Sequence, residues 1–241
     1  MYRETRNYEN IQIMRFPGEG KYDIPAIDQT QFEQADFIGF NYAKSEKHPD
    51  NKAVHFFLDD YQFNRVWTYP DRYIEMLRRF RYVLSPDFSL YTDFPMAMQI
   101  YNHYRKHWIA RYWQESGIKV IPTICWSSSE SFEWCFDGEP TQSVVAISSL
   151  GTQNSKERKK IFLEGYEEMI KRLDPAQIIF YGRVPEECKG NIVHIESFSE
   201  KFHKAEILLG FRGDEPVTLK VEPKQKNATP EKQHKPPSQE R

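Results

Sequence analysis

The sequence has little cysteine, little net charge and no long apolar run, and each shortage excludes a class of protein. Its 241 residues include Cys125, Cys135 and Cys188, whose spacing fits neither a disulfide framework nor a metal-binding cysteine motif. No run approaches the roughly 20 apolar residues needed to span a bilayer, and the first residues lack an apolar signal segment. The formal net charge of −2 argues against binding nucleic acid by overall charge. We therefore expect a cytoplasmic protein with no membrane partner.

Several motifs with a known chemistry are also missing. There is no G-x-x-x-x-G-K-[ST] phosphate loop, no H-E-x-x-H zinc motif and no G-x-S-x-G nucleophile elbow. His103 and His107 are four residues apart, but Arg105, Lys106 and Arg111 accompany them. That neighbourhood favours a solvated basic face on the outside of a helix, over both a zinc site and a nucleic-acid surface.

The residues that are present predict three regions of different composition. Apolar residues make up 39% of the chain and aromatic residues 15%, which is enough for a hydrophobic core. We assign residues 1–23 to an N-terminal extension and residues 24–212 to a single α/β domain. Residues 213–241 are rich in Pro, Lys, Glu and Gln and are predicted to form a disordered polar tail.

Strands and helices are predicted to alternate along the domain. Continuous apolar runs such as VIPTIC, VVAIS and IIFYG are typical of strands that are covered on both faces of a parallel sheet. Helical spacing of apolar residues predicts helices over residues 70–80, 95–116 and 156–173. The predicted strands are residues 36–43, 54–58, 82–84, 120–125, 143–148, 178–182 and 192–195. This order favours an irregular or incomplete (β/α) barrel over an open doubly wound sheet.

Polar side chains follow several of these predicted strands. Ligands bind at the carboxyl ends of parallel strands in both architectures, so these side chains are the candidates for a functional site. The candidate catalytic acids are Asp87, Asp93 and Glu196, and the candidate substrate-binding residues are Asn41, Trp126 and Arg183.

Each candidate also has a structural interpretation that the sequence leaves open. Asp93 precedes Phe94-Pro95 and is favoured as the N-cap of the next helix, while Asp87 follows a proline and could fix a turn. Arg183 could pair with Glu196 instead of holding a phosphate or a carboxylate. Trp126 fits core packing as well as it fits a stacking platform.

Four stretches of the chain carry a family resemblance: IGFNYA, LSPDFSLYTDFPMAMQIYNHYRKHWIARYWQ, KVIPTICWS and IIFYGRVP. Together they resemble domain of unknown function family 4417, over about residues 24–198, and SPDFSLYTDFP is the most specific block. Proteins of that family occur in bacteria and in their mobile elements, including phages. The resemblance implies an intracellular protein, often encoded by mobile DNA, and it implies no activity.

Three functional hypotheses are compatible with these residues. In the first, the acids supply a general base or hold a divalent metal such as magnesium, Arg183 clamps phosphate, and Trp126 stacks on a base. The protein would then be an enzyme that acts on a nucleotide or a nucleic-acid end. The alternatives are a non-catalytic binding or regulatory module of a phage or mobile element, and a glycoside-type hydrolase or transferase that uses paired acids. The sequence leaves open whether the protein is an enzyme.

Overall fold

The computed structural model of the chain describes residues 9–11 and 13–202. The predicted polar tail over residues 213–241 lies outside the described residues, as do residues 203–212 of the predicted domain. Among the described residues, seven strands form two parallel sheets, and two very short strands form an antiparallel pair. The strands are β1 Gly18–Glu19, β2 Ile24–Pro25, β3 Asp36–Gly39, β4 Lys52–His55, β5 Tyr82–Leu84, β6 Val120–Ile121, β7 Val144–Ser148, β8 Gln177–Tyr181 and β9 Ile192–Ile195.

Two long helices and several short ones connect these strands. The α-helices are α1 Phe40–Ala43, α2 Arg65–Thr68, α3 Ile74–Leu77, α4 Met96–Glu115 and α5 Lys156–Leu173. Single 3₁₀ turns occupy Pro49–Asn51, Asp60–Gln62, Pro70–Tyr73 and Ser129–Glu133. None of the described helices is both long enough and apolar enough to cross a membrane.

All seven parallel strands lie side by side in chain order. Strands β3, β4, β5 and β6 form one sheet, and β7, β8 and β9 form the other. A parallel bridge between Thr123 and Ala146 joins the two sheets, and the Ile124 N–H donates to the Ala146 carbonyl beside it. The α/β class with parallel strands is therefore confirmed. Within the described residues β3 and β9 are not paired, so these strands do not close a barrel.

Successive side chains along the strands point to opposite faces of the sheets, so each face has its own part of the core. Leu84, Ile121, Ala146 and Ile179 share one buried cluster, although they come from four different strands. Their neighbours on the opposite face pack against the long helices. Val83 and Val120 belong to the cluster that contains α4 side chains, and Val145, Ile147, Ile178 and Phe180 belong to the cluster that contains α5 side chains.

Helix α4 agrees with its predicted bounds to within one residue, but its first turn differs from the prediction. The prediction that Asp93 is the N-cap is wrong, because Pro95 occupies that position and its carbonyl accepts from the Met98 and Gln99 N–H groups. The helix ends in a Schellman motif: the Gly117 N–H donates to the Gln114 carbonyl and the Ile118 N–H to the Trp113 carbonyl. Gly117 adopts a φ of +81° there.

The prediction that α4 carries a solvated basic face is also wrong. His103, Lys106 and His107 are buried, because a layer of other segments of the chain covers their side of the helix. Part of this layer is β2, which packs directly along α4. The N-terminal extension adds to it, since the Trp108 indole N–H donates to the Met14 carbonyl at 3.0 Å and the ring of Trp108 packs against Phe16.

Three other predicted elements are shorter than expected, and one of them is the strand over residues 120–125, which ends at Ile121. The predicted helix over residues 70–80 divides into a 3₁₀ turn and α3, because Tyr73 has a φ of −105° and a ψ of −8° at their junction. The predicted strand over residues 36–43 ends at Gly39, where the chain turns directly into α1. The last two differences lie away from the strand ends that are considered next.

Candidate functional site

A cavity of about 690 Å³ lies at the carboxyl ends of β5, β6 and β7. Its volume is in the range of small-molecule sites. We call it the strand-end pocket, and define it by the loops that follow these three strands and by the first turns of α5. Its polar and aromatic lining consists of Asp87, Tyr91, Thr92, Asp93, Phe94, Cys125, Trp126, Ser127, Ser148, Thr152, Arg158 and Phe162.

Asp87 is the most perturbed acid of the pocket. Burial raises the pKa of its carboxyl from 3.8 to about 7, and the negative charge of Asp60 acts in the same direction. The positive charge of Lys106 and a hydrogen bond from the Cys125 thiol oppose this rise. Asp87 is therefore a carboxyl group that both binds and releases a proton near neutral pH, which is the property of a general acid or base.

Asp60 owes its position near Asp87 to two other residues. Its carboxylate accepts a hydrogen bond of 2.7 Å from the Ser89 hydroxyl and lies 3.8 Å from the Arg105 guanidinium. Ser89 is only two residues after Asp87, so this contact links the loop after β4 to the loop after β5. The link fixes the distance between two acids whose charges repel each other.

Trp126 forms one wall of the pocket against α5. Its indole lies on Gly165, where an added Cβ would be 2.1 Å from the Trp126 Nε1 atom. Its ring packs at 5.4 Å from the Phe162 ring, measured between centroids. Trp126 stays half-buried, so part of the ring faces the pocket. A half-exposed indole held from behind is suited to stacking on a planar ligand.

The positive side of the pocket is the start of α5. Ser155 is the N-cap, and its hydroxyl accepts from the Arg158 N–H at 3.2 Å. The exposed Arg158 lines the pocket together with Thr152, whose hydroxyl donates to the Ser149 carbonyl. An arginine in the first turn adds its charge to the positive end of the helix dipole. Both features favour an anion at this end of the pocket.

The structure brings three of the six predicted site residues to this pocket. Asp87, Asp93 and Trp126 line it, and Asp93 is exposed there. The other three are not among the described residues that line it. Asn41 is exposed on α1, with its amide oxygen close to Gly39. Glu196 is half-buried directly after β9.

Arg183 lies in a separate groove on the surface. That groove has a volume of about 270 Å³ and includes Gln153, Lys159 and Glu187. Arg183 is exposed, and its backbone carbonyl accepts from the Ser149 hydroxyl at 2.7 Å. It is therefore not among the residues that line the strand-end pocket with Asp87, and Arg158 takes that position instead.

A fully buried polar group lies behind the pocket, and sequence reasoning did not find it. We call it the buried histidine cluster: His103, Lys106, His107 and Glu139. The Lys106 ammonium donates to Glu139 Oε1 at 2.7 Å and to the Thr123 carbonyl at 2.8 Å. Nε2 of His107 lies 2.9 Å from the same carboxylate oxygen.

Burial acts on every member of the buried histidine cluster. It lowers the pKa of both His103 and His107, which favours the neutral form of each imidazole. Burial alone would raise the pKa of Glu139, but the adjacent charge of Lys106 and the contact with His107 lower it. Glu139 is therefore an ionised carboxylate, and Lys106, whose pKa is raised by Glu139 against the effect of burial, is its counter-ion.

The sequence did contain signals for these residues. His103, Lys106 and His107 are spaced i, i+3 and i+4, so they share one face of a helix. Arg158 stands three residues after Ser155, a serine that precedes a helical pattern, so it was recognisable as a first-turn residue. No local signal pointed to Glu139, because its partners are more than 30 positions away along the chain.

A comparison with protein families identifies the chain. The family model described as "Domain of unknown function (DUF4417)" matches residues 16–199. The chain belongs to this family. The match covers both parallel sheets and the strand-end pocket, so the resemblance found in the sequence is confirmed.

Among curated proteins, two phage proteins are similar to this DUF4417 chain. The Gene 1 protein of Mycobacterium phage L5 is 40% identical over 173 residues, which are 71% of this chain and 76% of that protein. The Gene 1 protein of Mycobacterium phage D29 is 39% identical over 173 residues, and the match spans 64% of its length. No solved structure matches the chain.

Proposed function

We propose that this DUF4417 protein is an enzyme that binds a phosphate-bearing ligand, a nucleotide or a nucleic-acid end, in the strand-end pocket. Asp87 is its general acid or base, and Asp93 is the second acid. The observation that carries the proposal is the carboxyl of Asp87, with a pKa of about 7, in a pocket that also contains an arginine and a half-exposed tryptophan.

The proposed orientation of the ligand follows from the two sides of the pocket. Arg158 receives the phosphate, because its side chain brings a positive charge to the pocket beside the positive end of the α5 dipole. Trp126 stacks on the base, since its ring is fixed from behind by Gly165 and Phe162. This assignment replaces Arg183 by Arg158 and leaves Asn41 and Glu196 outside the proposed site.

We also propose that the seven parallel strands form an incomplete (β/α) barrel. The chain-order sequence of strands and the cluster shared by β5, β6, β7 and β8 side chains support this interpretation. A doubly wound sheet reverses its strand order at a switch point, and these strands do not. The strand-end pocket then occupies the end of the barrel where such enzymes carry their active sites.

The proposal is tested by a binding screen followed by an assay of turnover. Nucleoside mono- and triphosphates and a 5′-phosphorylated oligonucleotide are titrated by calorimetry, with and without magnesium. Substituting Arg158→Gln should weaken binding about 10- to 100-fold, the usual value of a hydrogen bond to a charged group. Arg183→Gln is the matched control, because it removes an exposed arginine outside the pocket and should leave affinity unchanged.

The Asp87→Asn variant separates catalysis from binding. It should bind the selected ligand as the unsubstituted protein does and should lose turnover. If the protein binds nucleotides but never converts one, the alternative is favoured, namely a non-catalytic binding or regulatory module of a phage or mobile element. If it binds none of them, the phosphate assignment is wrong, and a screen with aryl glycosides tests the alternative use of two acids.

A further inference from the structure

The two ring nitrogens of His107 both face hydrogen-bond acceptors. Nδ1 lies 2.9 Å from the Pro25 carbonyl oxygen, and Nε2 lies 2.9 Å from Glu139 Oε1. A neutral imidazole has a single N–H, so it satisfies only one of them. A metal ion on Nε2 would require that hydrogen on Nδ1, where the Pro25 carbonyl accepts it. The lone pair of Nε2 then faces the Glu139 carboxylate, and a cation bound by both groups would remove the repulsion between them.

His103 is held in a comparable way beside His107. Its Nε2 lies 3.2 Å from the Asp137 carbonyl, which accepts and cannot donate, so the hydrogen is on Nε2. Nδ1 of His103 therefore carries a lone pair. It has no hydrogen-bond partner among the residues that the structure describes, and the same is true of Glu139 Oε2. The two imidazole rings are 4.3 Å apart between centroids.

These contacts match the surroundings of a metal site. A histidine that binds a metal commonly donates its other ring N–H to a backbone carbonyl, which fixes the ring and its tautomer. His103 does so, and His107 does so when its hydrogen is on Nδ1. One nitrogen of each ring and one oxygen of Glu139 lie within 4.8 Å of one another. Unpartnered buried polar atoms are costly, and a cation would give a partner to each of them.

We propose that His103, His107 and Glu139 bind one divalent transition-metal ion of the zinc class. Two imidazoles and one carboxylate are a ligand set that zinc uses in proteins. The ion would join α4 to the loop that carries Glu139, and His107 would link it to β2 through the Pro25 carbonyl. It would thereby stabilise the position of Lys106 behind the strand-end pocket. This site is separate from the pocket and does not depend on its proposed function.

Lys106 is compatible with this ion because it uses a different oxygen. Its ammonium bonds to Oε1 of Glu139 and to the Thr123 carbonyl, while Oε2 is the oxygen without a partner. A hydrogen bond to the second oxygen is what orients a carboxylate ligand. The positive charge of Lys106 does reduce affinity for a cation, so neutral imidazoles and an ionised Glu139 are needed to hold it.

The first test uses the unsubstituted full chain. The protein is produced without a histidine tag in zinc-supplemented medium, dialysed, and its metal content measured by mass spectrometry. We expect about one zinc per chain, with an X-ray absorption spectrum of zinc that shows imidazole and oxygen neighbours and no sulfur. Less than about a tenth of an equivalent, together with no rise in melting temperature on refolding with zinc, cobalt or nickel, overturns the proposal.

Substitutions then assign the ligands. His103→Gln and Glu139→Gln should each lower the retained zinc at least about 10-fold, while His48→Gln, which changes an exposed histidine, should leave it unchanged. Zinc that is retained by all three variants, or a sulfur shell in the absorption spectrum, would mean a different site and would also overturn the proposal. If no metal binds, a protonated His107 paired with Glu139 explains the contacts instead.

Discussion

The indole of Trp126 lies against the backbone of Gly165, in the middle of α5. A Cβ atom at position 165 would be 2.1 Å from Nε1 and 2.3 Å from two ring carbons of that indole. Glycine inside a helix costs about 1 kcal/mol relative to alanine. Here the cost is offset by a close approach that only glycine permits, and the position of one pocket wall depends on it.

Gly165→Ala should therefore weaken the protein although alanine favours helices. Overpacking of a well-packed contact costs about 1–3 kcal/mol, which exceeds the gain in helix propensity. We expect a lower free energy of unfolding in urea and weaker binding of any ligand that stacks on Trp126.

The matched control is Glu167→Ala, which makes an alanine at an exposed position of the same helix. It should be neutral or slightly stabilising. A second variant, Trp126→Ala, removes the ring atoms that clash, so Gly165→Ala should cost less in its presence. An equal cost of Gly165→Ala in both backgrounds would show that the contact with Trp126 is not the cause.

Asp87 should make stability depend on pH. Its pKa in the folded state is about 7, above its ordinary value of 3.8. At a pH between these two values, the carboxyl is therefore protonated in the folded state and ionised in the unfolded state. The free energy of unfolding therefore loses this contribution as pH rises from about 4 to about 7, and stays level above that. Asp87→Asn has no such proton. Near pH 4, its free energy of unfolding should equal that of the unsubstituted protein. Above pH 7 it should be higher, by at most about 4 kcal/mol.

Thermal unfolding of both proteins at a series of pH values measures this difference. Water in the pocket reduces its size, but the direction is fixed by the sign of the pKa shift. A difference that does not change between pH 4 and pH 8 would mean that Asp87 titrates in the folded protein as it does in the unfolded chain. The same substitution should abolish the proposed turnover, so stability and activity change in opposite directions.

Asp60→Asn should lower the pKa of Asp87 towards its ordinary value. The negative charge of Asp60 is one of the causes of the raised pKa, and an asparagine keeps an oxygen that accepts from the Ser89 hydroxyl. We expect the pH at which the Asp87-dependent stability levels off to move below about 7. Asp59→Asn removes a charge from the exposed neighbour and should leave that pH where it was. Identical shifts in both variants would point to a general effect of net charge.

Gly117→Ala tests the end of α4 in isolation. The residue has a φ of +81°, and an added Cβ would meet nothing within 4 Å, so the backbone conformation is the sole source of strain. We expect a loss of about 1–2 kcal/mol in the free energy of unfolding, since an L-residue is strained there. Gly117→Asn should lose less, because asparagine tolerates this conformation. Ligand affinity and zinc content should not change, and a change in either would contradict the purely local role.

The helices and strands were largely predictable because their signals are local. The bounds of α5, β5 and β9 agree with the prediction, and the other parallel strands differ from it by a few residues. Apolar periodicity and helix-ending residues act over a few positions of the chain, and these are visible in the sequence. The strand-end position of Asp87 and Trp126 followed from the same signals, together with the rule that parallel strands carry ligands at their carboxyl ends.

The sequence by itself thus determined the α/β class, the alternation of strands and helices, and the edge at which polar residues collect. The tertiary structure alone decided which of those residues share a pocket, and it separated Arg183 from Asp87 and brought Arg158 in. It also decided that His103 and His107 are buried beside Glu139, where the sequence pattern favoured a solvated face. The reason is physical: burial and charge pairing depend on segments that are distant along the chain, and one stretch of sequence does not show what will cover it.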